Sequence, residues 1–129
     1  MTDMPMVPVS WGELIDKITI LEIKRVRLSM PKAIANTERE LAALTPVLAG
    51  LDAPEGLFAL KTALSEVNER LWEIEDAIRA MEARGDFGAE FVALARSVYR
   101  QNDERGRIKR EINQLVGSVW TEEKQYASY

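Results

Sequence analysis

Apolar residues in the second half of the chain occupy mirror-symmetric positions. The two numbers of each pair add up to 172, and the steps along each half are mostly three or four residues. The pairs are Leu57/Leu115, Leu60/Ile112, Leu64/Ile108, Ile74/Val98, Ile78/Leu94 and Met81/Phe91. Steps of this kind are typical of a coiled-coil seam. The pattern therefore predicts an antiparallel helical hairpin that folds about Asp86.

The first half of the chain repeats this plan about Pro31. Its pairs add up to 62, and they are Leu14/Leu48, Ile18/Leu44, Leu21/Leu41 and Leu28/Ile34. Almost no stretch alternates between apolar and polar residues, so we expect no β-sheet. The sequence predicts an all-α fold of two tandem antiparallel helical hairpins, a coiled-coil-like four-helix arrangement in which the second hairpin is longer.

Local signals place the helix ends. Ser10 and Glu13 form a capping box that starts helix one. Pro46 is expected to end or kink helix two, Gly85 stops helix three, and Asp86 can cap helix four. The predicted helices span residues 10–28, 32–44 or slightly beyond, 55–83 and from Asp86 to 116. The chain is expected to be one domain, 1–129, with an extended arm (1–9), hairpin one (10–49), hairpin two (55–116) and a C-terminal tail (118–129).

Composition excludes several functional classes. The chain of 129 residues has no cysteine and no histidine, and its net charge is −4. These absences exclude thiolate chemistry, the commonest transition-metal ligand and the usual general base. The negative charge argues against nucleic acid as a partner. No uncharged stretch approaches the length of a membrane span, and the N-terminus does not resemble a secretory signal. We expect a cytoplasmic protein, from a bacterium, with no cofactor and no bound metal.

Helix one is apolar on more than one side. Beyond its seam it carries Ile15, Ile20, Ile23 and Val26, and helices that are apolar all round are usually buried all round. A single four-helix layer would leave part of this helix in water, so a homodimer is expected. The competing expectation is that aromatic residues of the tail cover the exposed part, and these are Trp120, Tyr126 and Tyr129.

The two helices of the second hairpin carry opposite charges. Residues 66–82 are mainly acidic and residues 96–111 mainly basic. The hairpin register places Asp76 level with Arg96, and Glu73 near Arg100. These charges are expected to form a solvated ladder that fixes the pairing of the helices; the alternative is a basic face that binds a ligand.

In two layers of the predicted second hairpin an apolar residue is paired with a polar one: Leu71 faces Gln101 and Val67 faces Arg105. Such polar layers are either devices that fix the register or a pocket between helices for an anion or small polar ligand. The candidate pocket residues are Arg25, Asn68, Trp72, Glu75, Gln101, Asn102 and Arg105.

Two further constellations offer alternative chemistry. Glu69, Glu73 and Asp76 share one helix face, and such carboxylates can hold Mg²⁺ together with phosphates, as in all-α nucleotide pyrophosphohydrolases. The trio Arg25, Gln101 and Arg105 is similar to the arginine and glutamine groups of small all-helical chorismate mutases, which bind a dianion.

Several stretches resemble one small bacterial family of stand-alone helical proteins known only as a domain of unknown function. They are residues 9–24 (VSWGELIDKITILEIK), 71–76 (LWEIED), 94–99 (LARSVY), 102–105 (NDER), 108–113 (IKREIN) and 122–126 (EEKQY). The resemblance covers nearly the whole chain, and it implies a protein of this size without implying an activity.

These observations favour a homodimeric binding or interaction module over an enzyme, and they assign no catalytic residue. The alternative is a small all-α enzyme whose polar pocket between helices binds an anionic or phosphorylated small molecule.

Overall fold

The computed structural model describes residues 3–120 and 123–125. Four helices fill most of this range, and they are α1 (Trp11–Arg27), α2 (Pro31–Ala49), α3 (Leu57–Arg84) and α4 (Ala89–Val116). No strand occurs in the described ranges. The predicted all-α fold with a longer second hairpin is therefore confirmed.

Helix α1 is the centre of the molecule. It contacts α2, α3 and α4, whereas α2 contacts no other helix than α1. Ile15 and Ile23 on α1 are 0% and 4% exposed, and only the last turn leaves a large apolar side chain, Val26, in solvent. The expectation that α1 needs a second copy for its burial is wrong, because the second hairpin of the same chain covers it.

Two apolar clusters hold the helices together. Leu14, Ile18, Leu21 and Leu41 are buried between α1 and α2, where the first mirror pattern places them. Full burial of one such side chain contributes about 1.5–3 kcal/mol. Trp11 packs against this cluster and against the second one, so it joins the two hairpins.

The second cluster lies between α3, α4 and α1. Its buried members are Ile15, Leu57, Leu64, Val67, Leu71, Ile108 and Ile112. The register predicted for the second hairpin agrees with this cluster near the open end. Leu115 is the exception there, since 40% of it is exposed and Val116 packs against the cluster instead.

Helix starts differ from the sequence-based expectations in two places. Ser10 accepts a hydrogen bond from the backbone N–H of Glu13 at 3.1 Å, which is one half of the predicted capping box. The Glu13 carboxylate forms its contact elsewhere, with Lys109. Helix α4 starts after Gly88 rather than after Asp86, because the Asp86 side chain accepts from the Gly88 N–H and closes the turn.

The ends of α2 and α3 test two of the sequence-based expectations. Pro46 lies inside α2, so the expectation that it ends this helix is wrong. A proline costs one backbone hydrogen bond, and Leu44 and Leu48 on either side pack against the first cluster, which offsets this loss. Gly85 ends α3 as predicted: its φ of 68° is left-handed, a conformation that favours glycine.

The C-terminal tail is described in part. Trp120 is 53% exposed and borders a groove together with Trp11 of α1, while Tyr126 and Tyr129 lie outside the described residues. No helix in the described ranges is long and apolar enough to cross a membrane.

Candidate functional site

Five of the seven candidate pocket residues line one cleft between α1, α3 and α4. The cleft has a volume of about 160 Å³. The five residues at its wall are Asn68, Trp72, Glu75, Asn102 and Arg105. We call this volume the polar cleft.

Helical spacing explains the convergence. Asn68, Trp72 and Glu75 follow one another by four and three residues, which places them on one face of α3. Asn102 and Arg105 are three residues apart on α4. The remaining wall is apolar and consists of Ile20, Ile23 and Leu71.

A buried polar network lies beside the cleft. Arg105 donates from Nε and Nη2 to the two carboxylate oxygens of Asp16, at 2.9 and 2.5 Å. Asn68 donates from Nδ2 to Asp16 Oδ1 and to Thr19 Oγ1, both at 3.0 Å. Thr19 in turn donates to the Asp16 carbonyl oxygen. Because Asp16 is 1% exposed, its charge depends on these partners.

Asp16 is the central polar residue that sequence reasoning does not identify. One feature of the sequence indicates that Asp16 is buried. It lies among Leu14, Ile15 and Ile18, in a helix that is otherwise apolar nearly all round. A carboxylate there needs a cation from another helix, and the seam position of Arg105 makes it a candidate. The link between them requires knowing that α1 crosses the second hairpin at this level.

Two of the predicted residues lie elsewhere. Arg25 is exposed and borders a different groove, between α1 and α2. Gln101 accepts a hydrogen bond from Arg70 Nε at 3.1 Å and does not border the polar cleft. The trio of Arg25, Gln101 and Arg105 is therefore not brought together, which removes the basis of its similarity to chorismate mutases.

The carboxylates considered for Mg²⁺ have a different partner. Arg27, at the end of α1, donates to Glu69 at 2.5 Å and to Glu73 at 3.0 Å. These two hydrogen bonds raise the pKa of Arg27. In the described residues no group of three acidic, histidine or cysteine side chains is placed to hold a metal ion.

The start of α1 is held against α4 by a second set of polar contacts. The Gly12 N–H donates to Asn113 Oδ1 at 2.7 Å, and Lys109 Nζ donates to Glu13 Oε2 at 2.7 Å. Asn113 and Lys109 are 1% and 5% exposed. Together with the pair of Asp16 and Arg105, these contacts fix the position of α1 on α4.

Towards its turn, the second hairpin continues as a two-helix arm that shares Glu75 with the wall of the cleft. Across residues 72–105, all of which the structure describes, Met81 is the one buried residue. The seam side chains Ile74, Ile78, Leu94 and Val98 are only half-buried. We call residues 73–100 the distal arm.

The predicted charge ladder of the distal arm does not form. No ion pair among the described residues joins Asp76 to Arg96 or Glu73 to Arg100, and Glu73 binds Arg27 instead. Arg96 donates to the Tyr99 hydroxyl, and this hydrogen bond is the main reason why the pKa of Tyr99 lies below its ordinary value. Asp76 on α3 and Arg96 on α4 are both exposed to solvent.

A pH-dependent contact lies next to the cleft on α4. Arg107 donates to both carboxylate oxygens of Glu104, and this holds the pKa of Glu104 below its ordinary value of 4.5. Its contribution to stability is therefore present above pH 4.5 and is lost as the pH falls through the lowered pKa. Since both side chains are about half exposed, this contribution is small.

We expect Arg107→Gln to return the Glu104 titration to the ordinary range, because the variant removes the charged donor. Carbon-detected NMR titration of the Glu104 carboxyl measures this change. An unchanged midpoint in the variant would show that Arg107 is not the cause.

Comparison with known proteins identifies the family of the chain. No curated protein and no solved structure matches the chain. The model of a family of unknown function, DUF6165, matches residues 5–129, almost the full length. The chain belongs to this family.

Proposed function

We propose that the protein is a homodimeric helical binding module whose distal arms pair with each other. The observation that carries this proposal is the distal arm itself, in which a single residue is buried. The ion pairs within the arm, Arg79–Glu75 and Arg84–Asp86, do not join the exposed Asp76 to the exposed Arg96.

The apolar part of the arm supports pairing. The arm part of α3, residues 73–84, is about 18 Å long at about 1.5 Å per residue. In an arm of two helices, each seam side chain is covered only by the opposite helix. Ile74, Ile78 and Leu94 therefore keep part of their surface in water. Burial of the remaining apolar area against a second arm is favourable. Exposed Val92 and Phe87, 51% and 55% accessible, enlarge this surface.

Charge selects the partner. A two-fold axis parallel to the arm brings α3 of one copy beside α4 of the other, and each contact then occurs twice. Asp76 and Arg96 are both exposed, and the hairpin register about Asp86 places them at one level. In this arrangement α3 of one copy runs antiparallel to α4 of the other, and Asp76 of each copy meets Arg96 of the other copy. This is the complementarity that a second copy of this chain supplies.

A charge-reversal experiment tests the dimer. We expect wild-type protein at about 50 µM to show twice the 14.6 kDa chain mass in light scattering after gel filtration, because dimers of this type have dissociation constants at or below the micromolar range. Asp76→Arg places like charges together twice and shifts the protein to monomer. The double variant Asp76→Arg/Arg96→Asp restores the dimer.

The matched control is Asp52→Arg, which makes the same change in the exposed linker before α3 and leaves the dimer intact. A monomeric wild-type protein contradicts the proposal. A double variant that stays monomeric contradicts the pairing of Asp76 with Arg96.

A second candidate function is binding of a small molecule in the polar cleft. It is favoured by the convergence of Asn68, Trp72, Glu75, Asn102 and Arg105 around one volume. Clefts between bundle helices are usual ligand sites. Titration of the cleft with small organic ions tests this function without reference to the oligomeric state.

A further inference from the structure

We infer that the polar cleft binds a small alkylammonium ion rather than an anion. This inference rests on the second candidate function, binding in the cleft. It departs from the sequence-based expectation of an anionic ligand, and the reason is the charge balance that the tertiary structure creates.

The positive charge at the cleft is already balanced. Arg105 donates two hydrogen bonds to Asp16, whose side chain is 2% exposed. This bidentate pair is neutral as a unit, and moving Arg105 towards an added anion would leave the Asp16 charge buried without its main partner, at a large cost.

The negative charge at the cleft is weakly balanced. Glu75 is half exposed, and its ion pair in the described residues is with Arg79 at 3.4 Å, within one exposed helix face. Exposed pairs of this kind contribute about 0–1 kcal/mol, so a cation can replace Arg79. With Asp16 and Arg105 cancelling, Glu75 gives the cleft a net negative charge once Arg79 is displaced.

Trp72 lies one helical turn before Glu75 and borders the same cleft. An indole ring attracts cations through its π face, and a carboxylate beside it supplies a charge-assisted acceptor. The cation–π contact found among the described residues is between Arg100 and Tyr99, not at Trp72.

The apolar wall and the size of the cleft define the rest of the ligand. Ile20, Ile23 and Leu71 provide a surface for an alkyl chain. The volume of about 160 Å³ is below the range of about 300–1,000 Å³ for drug-sized ligands. A primary ammonium group on a short alkyl chain fits both features.

Titration with butylammonium chloride tests the inference, with the Trp72 indole N–H signal followed by NMR. The signal is identified by its loss in Trp72→Phe. We expect a saturable shift with a dissociation constant of about 1 mM, typical of a ligand with few heavy atoms. Sodium butyrate, of similar size and opposite charge, is expected to cause no saturable shift.

Matched variants locate the charge. Glu75→Gln is expected to weaken butylammonium binding about tenfold, whereas Glu82→Gln, further along α3 and outside the cleft, leaves it unchanged. Equal binding to wild type and Glu75→Gln overturns the inference.

The titrations with butylammonium and butyrate distinguish a failure of the inference from a failure of the second candidate function. If butyrate binds more tightly than butylammonium, the cleft is a binding site for anions, and the inference alone is overturned. If neither ion shifts the Trp72 signal, both the inference and the second candidate function are overturned. The dimer proposal is independent of these results.

Discussion

Replacing Asp16 with alanine is expected to lower the free energy of unfolding by about 3–4 kcal/mol, because breaking a buried ion pair on one side costs about 3–5 kcal/mol. The variant removes the acceptor of two Arg105 hydrogen bonds and one Asn68 hydrogen bond. Arg105 is 30% exposed, so water can take over part of its solvation, which favours the lower end of the range. Urea unfolding followed by circular dichroism measures the change.

A double variant distinguishes the loss of the pair from the loss of packing. We expect Asp16→Leu/Arg105→Met to be clearly more stable than Asp16→Ala, because apolar replacements of similar volume leave no unpaired charge. Asp52→Ala, in the exposed linker, is the control and is expected to change stability by less than about 0.5 kcal/mol. An Asp16→Ala variant as stable as this control would show that the network does not hold the helices together.

The second large effect is expected for Gly12→Ala, which should destabilise the protein by about 1–3 kcal/mol through overpacking. A Cβ atom at Gly12 would lie 2.6 Å from the Lys109 carbonyl oxygen and 2.9 Å from Asn113 Oδ1. Backbone at such a distance cannot rotate away, so α1 must move off α4. This movement also weakens the Gly12–Asn113 hydrogen bond of 2.7 Å. Thermal and urea unfolding both report the loss.

Gly106→Ala is the matched control, on the helix that Gly12 contacts. Among the described residues, the atoms nearest to a Cβ there belong to the flexible side chains of Arg110 and Lys124, at 3.5 Å or more. Alanine is favoured over glycine inside a helix by about 0.5–1 kcal/mol, so this variant is expected to be as stable as wild type or more so. Equal effects of the two substitutions would contradict the close approach of α1 and α4.

The mirror patterns predict the helix pairs well because a hairpin is a local structure. Leu14, Ile18 and Leu41 form one cluster, and Leu64 and Ile108 belong to the other, as the spacing requires. The expectation that a proline ends a helix fails at Pro46. The free-energy cost of the proline is smaller than the free energy gained when its neighbours pack against the first cluster. The expectation that Asp86 caps α4 fails because its side chain accepts a hydrogen bond from the Gly88 N–H within the turn.

The candidate site is predictable in part for a similar reason. Asn68, Trp72 and Glu75 share a face of α3 whatever that helix contacts, and α4 follows by hairpin register. Asp16 belongs to α1, whose contacts with α3 and α4 depend on how the two hairpins pack. No periodic pattern encodes this crossing, so the partner of Arg105 cannot be identified from spacing.

The sequence by itself determined the four helices, their pairing into hairpins and the polar interruption of the second seam, because these follow from side-chain periodicity along single helices. Only the tertiary structure decided that α1 lies across the second hairpin and that Asp16 neutralises Arg105. It also decided that the distal arm stays uncovered. The physical reason is that these features depend on packing between elements distant in the chain, where buried charge and close backbone contact, as at Gly12, select one arrangement.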